Sequence, residues 1–216
     1  MPHVINAFTL APALERLTFT SFDSQSTFSV PHTSITFYED VRNCYASENA
    51  HNLTLHHLQA SPHIWYFRAV YQRPWMGQFH ARARTINCPN ICMFAASQGA
   101  LFRSVTLPFV CSIVIESNPL HGILDFTDGD CLGDVHDLII WSQCYVTLTH
   151  IAIYNTLLTE DIFNILSELP LLMDLAFHYD RWYKECDSII HAIIKVLSSV
   201  LEDDTLGLRY MNPALT

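Results

Sequence analysis

The chain has 216 residues, of which 50% are hydrophobic and 15% are charged, which is enough apolar material for a folded core and too little charge for a disordered polypeptide. Its formal net charge of −10 and its scattered basic residues argue against nucleic-acid binding, because phosphate contacts need clustered Lys and Arg. The amino end has no basic segment followed by a long apolar run, and the most apolar segment, 188–201, is too short to span a bilayer, so we expect a cytoplasmic or nuclear protein without a membrane partner.

A short pattern recurs along the chain and predicts a series of strands. It consists of a proline followed by apolar residues two, five and seven positions later, and its first copy is Pro12, Leu14, Leu17 and Phe19. The last two apolar residues of each copy would alternate inward on a short strand, and the proline would end the preceding element. The spacing returns at 62–69, 89–96, 108–115, 146–153 (with Val146 in place of proline) and 170–177, and a degenerate copy, slipped in register, lies at 31–37.

The spacing of the copies indicates the fold class. The unit stays near the twenty-odd residues of a leucine-rich repeat, and its internal spacing is that of Leu-x-x-Leu-x-Leu. We therefore predict an α/β, leucine-rich-repeat-like solenoid, with short parallel strands on a concave face and helices and loops on a convex face. Residues 1–216 would form a single array. The alternative is a compact α/β domain in which the pattern is a coincidence.

Helices are predicted between the strands. Residues 157–169 contain Thr159 as an N-cap, followed by an apolar stripe at helical spacing. A second helix would begin at Asp187, and weaker candidates are 135–144 and 47–60. The predicted stripes are Ile162, Ile165, Leu166 and Leu169 in the first helix, and Ile190, Ile193, Ile194 and Leu197 in the second.

Residues 148–177 resemble the leucine-rich region of mushroom-type fungal F-box proteins, and 11–19, 55–62 and 105–108 have the same character. The resemblance extends from about Val4 to the end of the chain. It implies the substrate-binding part of a ubiquitin-ligase receptor, whose F-box would dock on the adaptor subunit of a cullin-type ligase. Because Leu14 already belongs to a strand motif, we expect the chain to start in mid-array without an F-box or cap. Adaptor binding is then expected only if an F-box exists elsewhere.

The solenoid hypothesis also predicts where a protein client would bind. Residues four, six and eight positions after each motif start would point outward from the strands. The middle column is mostly small, which would leave a shallow groove. From these columns we predict that Tyr66, Arg68, His150, Tyr154 and His178 contribute to a protein-binding surface, since Tyr and Arg are frequent interface anchors.

No motif in the sequence predicts catalysis, a cofactor or a metal. There is no phosphate-binding loop, no dinucleotide fingerprint and no nucleophile elbow. Cys88 and Cys92 have zinc-like spacing without a second close pair, and the seven cysteines fit reduced core thiols better than disulfides. Two alternatives remain: a small hydrolase-like enzyme with a site assembled from scattered His, Asp and Cys, and a truncated family member without intact activity.

Overall fold

A computed structural model describes residues 4–5, 11, 13–20, 27–28, 32–45, 48–73, 85–116, 131–180 and 183–202. The strands are β1 (Val4–Ile5), β2 (Arg16–Thr20), β3 (Thr27–Phe28), β4 (Phe37–Tyr45), β5 (Tyr66–Arg73), β6 (Ile86–Asn87), β7 (Met93–Ala96), β8 (Val105–Thr106), β9 (Ser112–Glu116), β10 (His150–Tyr154) and β11 (Asp174–His178). The helices are α1 (Glu48–Ala60), α2 (Gly99–Phe102), α3 (Cys131–Ser142), α4 (Asp161–Glu168) and α5 (Asp187–Glu202), with a short 3-10 turn at Lys184–Cys186.

The fold is α/β and is built on a parallel sheet of seven strands. The strand order is β2-β4-β5-β7-β9-β10-β11, so each strand of this sheet is hydrogen-bonded to the next one along the chain. Two shorter parallel pairs, β1 with β3 and β6 with β8, lie outside this sheet. Among the described residues, no helix combines the length and the apolar character that a bilayer crossing needs.

The predicted register of the strands is confirmed. The residue five positions after each motif start occupies the same row of the sheet in all six good copies, and each of these side chains is buried in one continuous core. From β2 to β11 the row reads Leu17, Tyr38, Phe67, Phe94, Ile113, Ile151 and Leu175. The spacing in the sequence reports this geometry because alternate side chains of a strand point to the same side.

The helices cover the buried side of the sheet. In α3 the buried residues include Leu132, Val135 and Leu138, which recur at helical spacing, and α3 packs between α2 and α4. In α4 the predicted stripe is confirmed, with Ile162 and Ile165 fully buried. Apolar residues of both kinds of element therefore share one interior.

The degenerate copy differs from its prediction. Its strand is β4, and Tyr38 lies in register with Phe67, but the proline of the pattern stands two residues too early. The third apolar position of the copy, in register with Phe19, is occupied by Asp40. The core tolerates this carboxylate because Arg42, on the same side of the same strand, pairs with it.

Two helix details are also corrected. Thr159 does not cap α4: its hydroxyl donates to the Asp161 carboxylate at 3.2 Å, and Glu160 is the N-cap residue. In α5 the predicted stripe is confirmed at Ile190, which packs against the core, and at Ile193, which is buried in it. It is wrong at Ile194, which is exposed, whereas Ile189 packs against the core. The Leu197 side chain lies outside the described residues.

Candidate protein-binding face

One side of the seven-stranded sheet is open to solvent. Along β2, β9 and β10, buried residues alternate with half-buried or exposed ones. The accessible side, which we call the open face, carries three rows of side chains in register. From β2 to β11 the first row is Arg16, Phe37, Tyr66, Met93, Ser112, His150 and Asp174; the second is Thr18, Glu39, Arg68, Ala95, Val114, Ala152 and Ala176; the third is Thr20, Val41, Val70, Ser97, Glu116, Tyr154 and His178.

Tyr66 belongs to an aromatic stack at the β2–β5 end of the first row. Its ring lies parallel to that of Phe37, with the centroids 4.1 Å apart. The guanidinium carbon of Arg16 lies 4.2 Å from the centroid of the Phe37 ring, within the range of a cation–π contact. Burial, and then the nearby Glu39 carboxylate, raise the pKa of Tyr66, so its hydroxyl stays protonated at neutral pH. The stack offers a rigid apolar surface with a hydrogen-bonding group.

Arg68 forms an ion-pair bridge across the centre of the open face. Its Nε and Nη2 donate to the two carboxylate oxygens of Glu116 at 2.9 and 2.8 Å, and its Nη1 donates to Glu39. Glu116 lies two strands away, on β9, and the residue between them in the second row is only Ala95. The hydrogen bonds to Glu116 and Glu39 raise the pKa of Arg68 above its ordinary value, although burial opposes them. The guanidinium therefore stays charged and is held in one position.

This bridge changes the predicted groove. The second row is small at β7, β10 and β11, as expected, but the Arg68 side chain lies across it at β7. Ala95 is consequently only 2% exposed although it belongs to the open face. The shallow part of the row is the β9–β11 side, along Val114, Ala152 and Ala176.

The remaining three predicted residues lie together on β10 and β11, at the other end of the face. The rings of Tyr154 and His178 are stacked with their centroids 4.3 Å apart and an interplanar angle of 10°. His150 is exposed on the same strand as Tyr154, and its Nδ1 lies 2.7 Å from the Thr149 hydroxyl. Since β5 and β10 are three strand spacings apart, about 14 Å separates this group from Tyr66 and Arg68.

The structure therefore places all five predicted residues on the open face, in two groups rather than one. Sequence reasoning did not include Phe37 and Glu39, which complete the first group. The signal that could have found them is the apolar spacing Ile35 to Tyr38, which identifies β4 even though its proline is displaced.

Behind β4 and β5, the interior contains a polar cluster. Arg42 donates three hydrogen bonds to the Asp40 carboxylate at 2.6–2.8 Å, and the Tyr38 hydroxyl donates to the same group at 3.2 Å. The Thr54 hydroxyl of α1 lies 2.8 Å from that of Tyr71. Burial alone would lower the pKa of Arg42, but the hydrogen bonds and the charge of Asp40 raise it, so the pair is ionic. The cluster joins α1 to the sheet within the core.

Histidines extend this cluster in neutral form. His57 is buried, and burial, with smaller effects of His32, His56 and Arg42, lowers its pKa to about 3. Burial and the charge of Arg103 lower the pKa of His51 to about 4. In the part of the chain that the structure describes, no three His, Cys, Asp or Glu side chains are arranged to share a metal ion.

Comparisons with known proteins give no further assignment. No family model matches the sequence, and no curated protein or solved structure is significantly similar to the chain.

Proposed function

We propose that this chain is a leucine-rich-repeat-like solenoid that recognises another protein through its open face. The single observation that carries the proposal is the strand order: seven parallel strands follow one another across the sheet in chain order. Such an order leaves one side of the sheet uninterrupted, and stacked repeats commonly use a continuous face of this kind for binding. The resemblance to F-box proteins, stated above for residues 148–177, supports the same interpretation.

The packing between repeats also favours a solenoid. The inward row from Leu17 to Leu175 forms a ladder in which each side chain contacts its neighbours, as shown by the stacking of Tyr38 on Phe67 and of Phe67 on Phe94, with centroids 5.2 and 5.3 Å apart. The short strands β6 and β8, which precede β7 and β9 in two consecutive units, also pair with each other in parallel. Each unit would thus bury its apolar residues against the next one, as in other repeat proteins.

The chemistry of the open face suits a polypeptide client. The two aromatic groups, Phe37 with Tyr66 and Tyr154 with His178, are already ordered by stacking, so little conformational entropy is lost when a partner covers them. Beside Tyr154 and His178, the small second-row residues Ala152 and Ala176 leave space for a side chain or an extended backbone. Arg68, held by Glu39 and Glu116, contributes polar specificity rather than a free positive charge.

By its resemblance, the client would be a substrate of a ubiquitin ligase in the cytoplasm or nucleus. The six cysteines whose side chains the structure describes are free thiols, which is consistent with a reducing compartment. A direct contact with the ligase adaptor would require an F-box, so we propose client binding as the activity of this chain itself.

Affinity capture followed by mass spectrometry tests the proposal. The double variant Tyr154→Ala and His178→Ala removes the stacked pair from the open face, and Val196→Ala on α5 is the control because it truncates an exposed side chain elsewhere. We expect a client that is captured by the wild type and by the control, and that is lost with the double variant. Equal capture by all three proteins would contradict binding through the open face.

A further inference from the structure

A second surface of the molecule lies at the edge of the sheet where the strands begin. In the main sheet, the residue that precedes each of β5, β7, β9, β10 and β11 is hydrogen-bonded through its backbone to the corresponding residue of the neighbouring strand. Cys92 N donates to Trp65 O at 2.9 Å and Cys111 N to Cys92 O at 2.7 Å. Thr149 N donates to Cys111 O at 3.0 Å and Met173 N to Thr149 O at 2.9 Å. These bonds form one continuous ledge. Across four strand spacings it is about 19 Å long.

This edge carries a concentration of exposed apolar side chains. Five large apolar residues, which we call the rim, lie on the ledge or in the segments that lead into it. Each is 47–68% exposed: Trp65, Phe109, Val146, Leu171 and Met173. The segments are interlocked, because the Thr147 hydroxyl donates to the Pro108 carbonyl at 3.4 Å. Contiguous apolar surface of this kind marks an interaction site.

The rim is also free of charged side chains. The five connecting segments that lead into β5, β7, β9, β10 and β11 contain no Asp, Glu, Lys or Arg: 61–65, 88–92, 107–111, 143–149 and 169–173. The first charge along the edge is Glu15, beyond Thr36 on the β2 side. Charged residues are 15% of the whole chain, and the open face alone carries Arg16, Glu39, Arg68, Glu116 and Asp174. The connecting segments thus form an uncharged surface on an acidic protein.

We infer that two copies of this chain associate through the rim. With a net charge of −10, two copies repel one another wherever acidic surfaces meet, and the rim is a surface along which they approach without bringing carboxylates together. An isologous dimer brings the same surface of both copies together, so the rim of one copy would cover the rim of the other.

The size of the rim fits this occupant. An aromatic side chain has roughly 150–250 Å² of surface, and an aliphatic one has less. Multiplied by the exposed fractions of the five rim residues, this gives on the order of 500–600 Å² of exposed apolar surface. A standard interface buries about 800 Å² of each partner, of which somewhat more than half is apolar. Four of these segments have a proline at their second position, which restricts the backbone and lowers the entropy lost on association: Pro62, Pro89, Pro108 and Pro170.

Sedimentation velocity on the full chain, from low micromolar to a few hundred micromolar protein, tests the inference. We expect a concentration-dependent dimer in the wild type. Val146→Glu and Phe109→Glu each place a charge in the interface and are expected to weaken dimerisation at least about tenfold. Val196→Glu is the matched control, since it makes the same change at an exposed valine of α5 and should leave the dimer intact. Far-ultraviolet circular dichroism verifies that each variant is folded.

Three results would overturn the inference. One is a wild-type protein that stays monomeric at every concentration, and another is a dimer that Val146→Glu and Phe109→Glu do not weaken. The third is a monomer that floats with phosphatidylcholine vesicles and loses this binding in the two rim variants, because the rim would then contact a lipid surface. None of these results depends on the open face, so client binding and self-association are tested separately.

Discussion

The buried Asp40–Arg42 pair gives the most direct test of how this core is stabilised. Asp40→Leu would leave the Arg42 guanidinium without its partner in an interior where both residues are 1% exposed. Removing one member of such a pair typically costs about 3–5 kcal/mol. For a domain of this size, where about 1 kcal/mol corresponds to ~2–4 °C, the melting temperature should fall by roughly 6–20 °C.

The double variant should behave differently. Arg42→Met combined with Asp40→Leu removes both charges and places apolar side chains where the other strands already have Phe19, Ala69 and Ala96. The pair is also incompletely satisfied, because Arg42 Nη1 is buried without a hydrogen-bond partner. We therefore expect the double variant to recover most of the stability lost in the single one, to within about 1–2 kcal/mol of the wild type.

Urea unfolding of the wild type, both single variants and the double variant closes a double-mutant cycle. The control cycle uses Arg68→Met and Glu39→Leu on the open face, where the side chains are 29% and 20% exposed and the expected coupling is only about 0–1 kcal/mol. If Asp40→Leu costs less than about 1 kcal/mol, or if the two single losses simply add in the double variant, the description of a buried, mutually dependent pair is wrong.

Three further predictions concern other parts of the fold. The pKa values of His57 and His51 are lowered to about 3 and 4, so below about pH 6.5 the unfolded chain binds protons that the folded chain does not. Their contribution to stability should be complete well above that pH and fall until about pH 4 for His51 and about pH 3 for His57, with a loss of about 2 kcal/mol per histidine at pH 5. Urea unfolding at several pH values should show a weaker dependence of stability on pH in His57→Leu. Phe94→Ala should cost about 3–5 kcal/mol in the same assay, because Phe94 is fully buried between two aromatic neighbours. Asn155 has a φ of 50°, so Asn155→Ala should be about 1–2 kcal/mol less stable than Asn155→Gly in thermal melts, and equal melting temperatures would contradict backbone strain there.

The strands could be predicted because their signal is local. Each good copy of the pattern has its own inward residues, and five of the six have their own proline, so Phe67, Phe94 and Ile113 could be placed in one row without any knowledge of the partners. The outward rows follow from the same alternation, which is why the structure places Tyr66 and Tyr154 on the open face.

The parts that could not be predicted depend on residues far apart in the chain. Asp40 breaks the apolar pattern, and only the buried Arg42 and the Tyr38 hydroxyl explain why a carboxylate is tolerated there. The Arg68 bridge depends on Glu116, 48 positions later, and on the small residue between them. Hydrophobic spacing contains no information about such pairs. The predicted groove therefore did not include the Arg68 side chain, which lies across it at β7.

The exposed rim was missed for a different reason. Four of its residues stand at motif positions that the pattern leaves unspecified, and Val146 stands at the proline position of its copy. In the sequence, apolar residues such as Phe109 and Met173 could not be distinguished from core residues. Cys111 illustrates the same difficulty, since it was expected to be a core thiol and is partly exposed beside the Phe109 carbonyl.

The order of the strands also has a consequence for how this chain acquires its structure. Paired residues on neighbouring strands of the main sheet are no more than 38 positions apart in the sequence, and the largest separation is between β9 and β10, as for Ile113 and Ile151. Chain segments close in sequence meet first at low entropic cost, so the sheet can grow outward from a central nucleus by successive addition of units. Amide hydrogens of β7 and β9 should then exchange most slowly, and those of β2 and β11, which lie at the two ends, should exchange first.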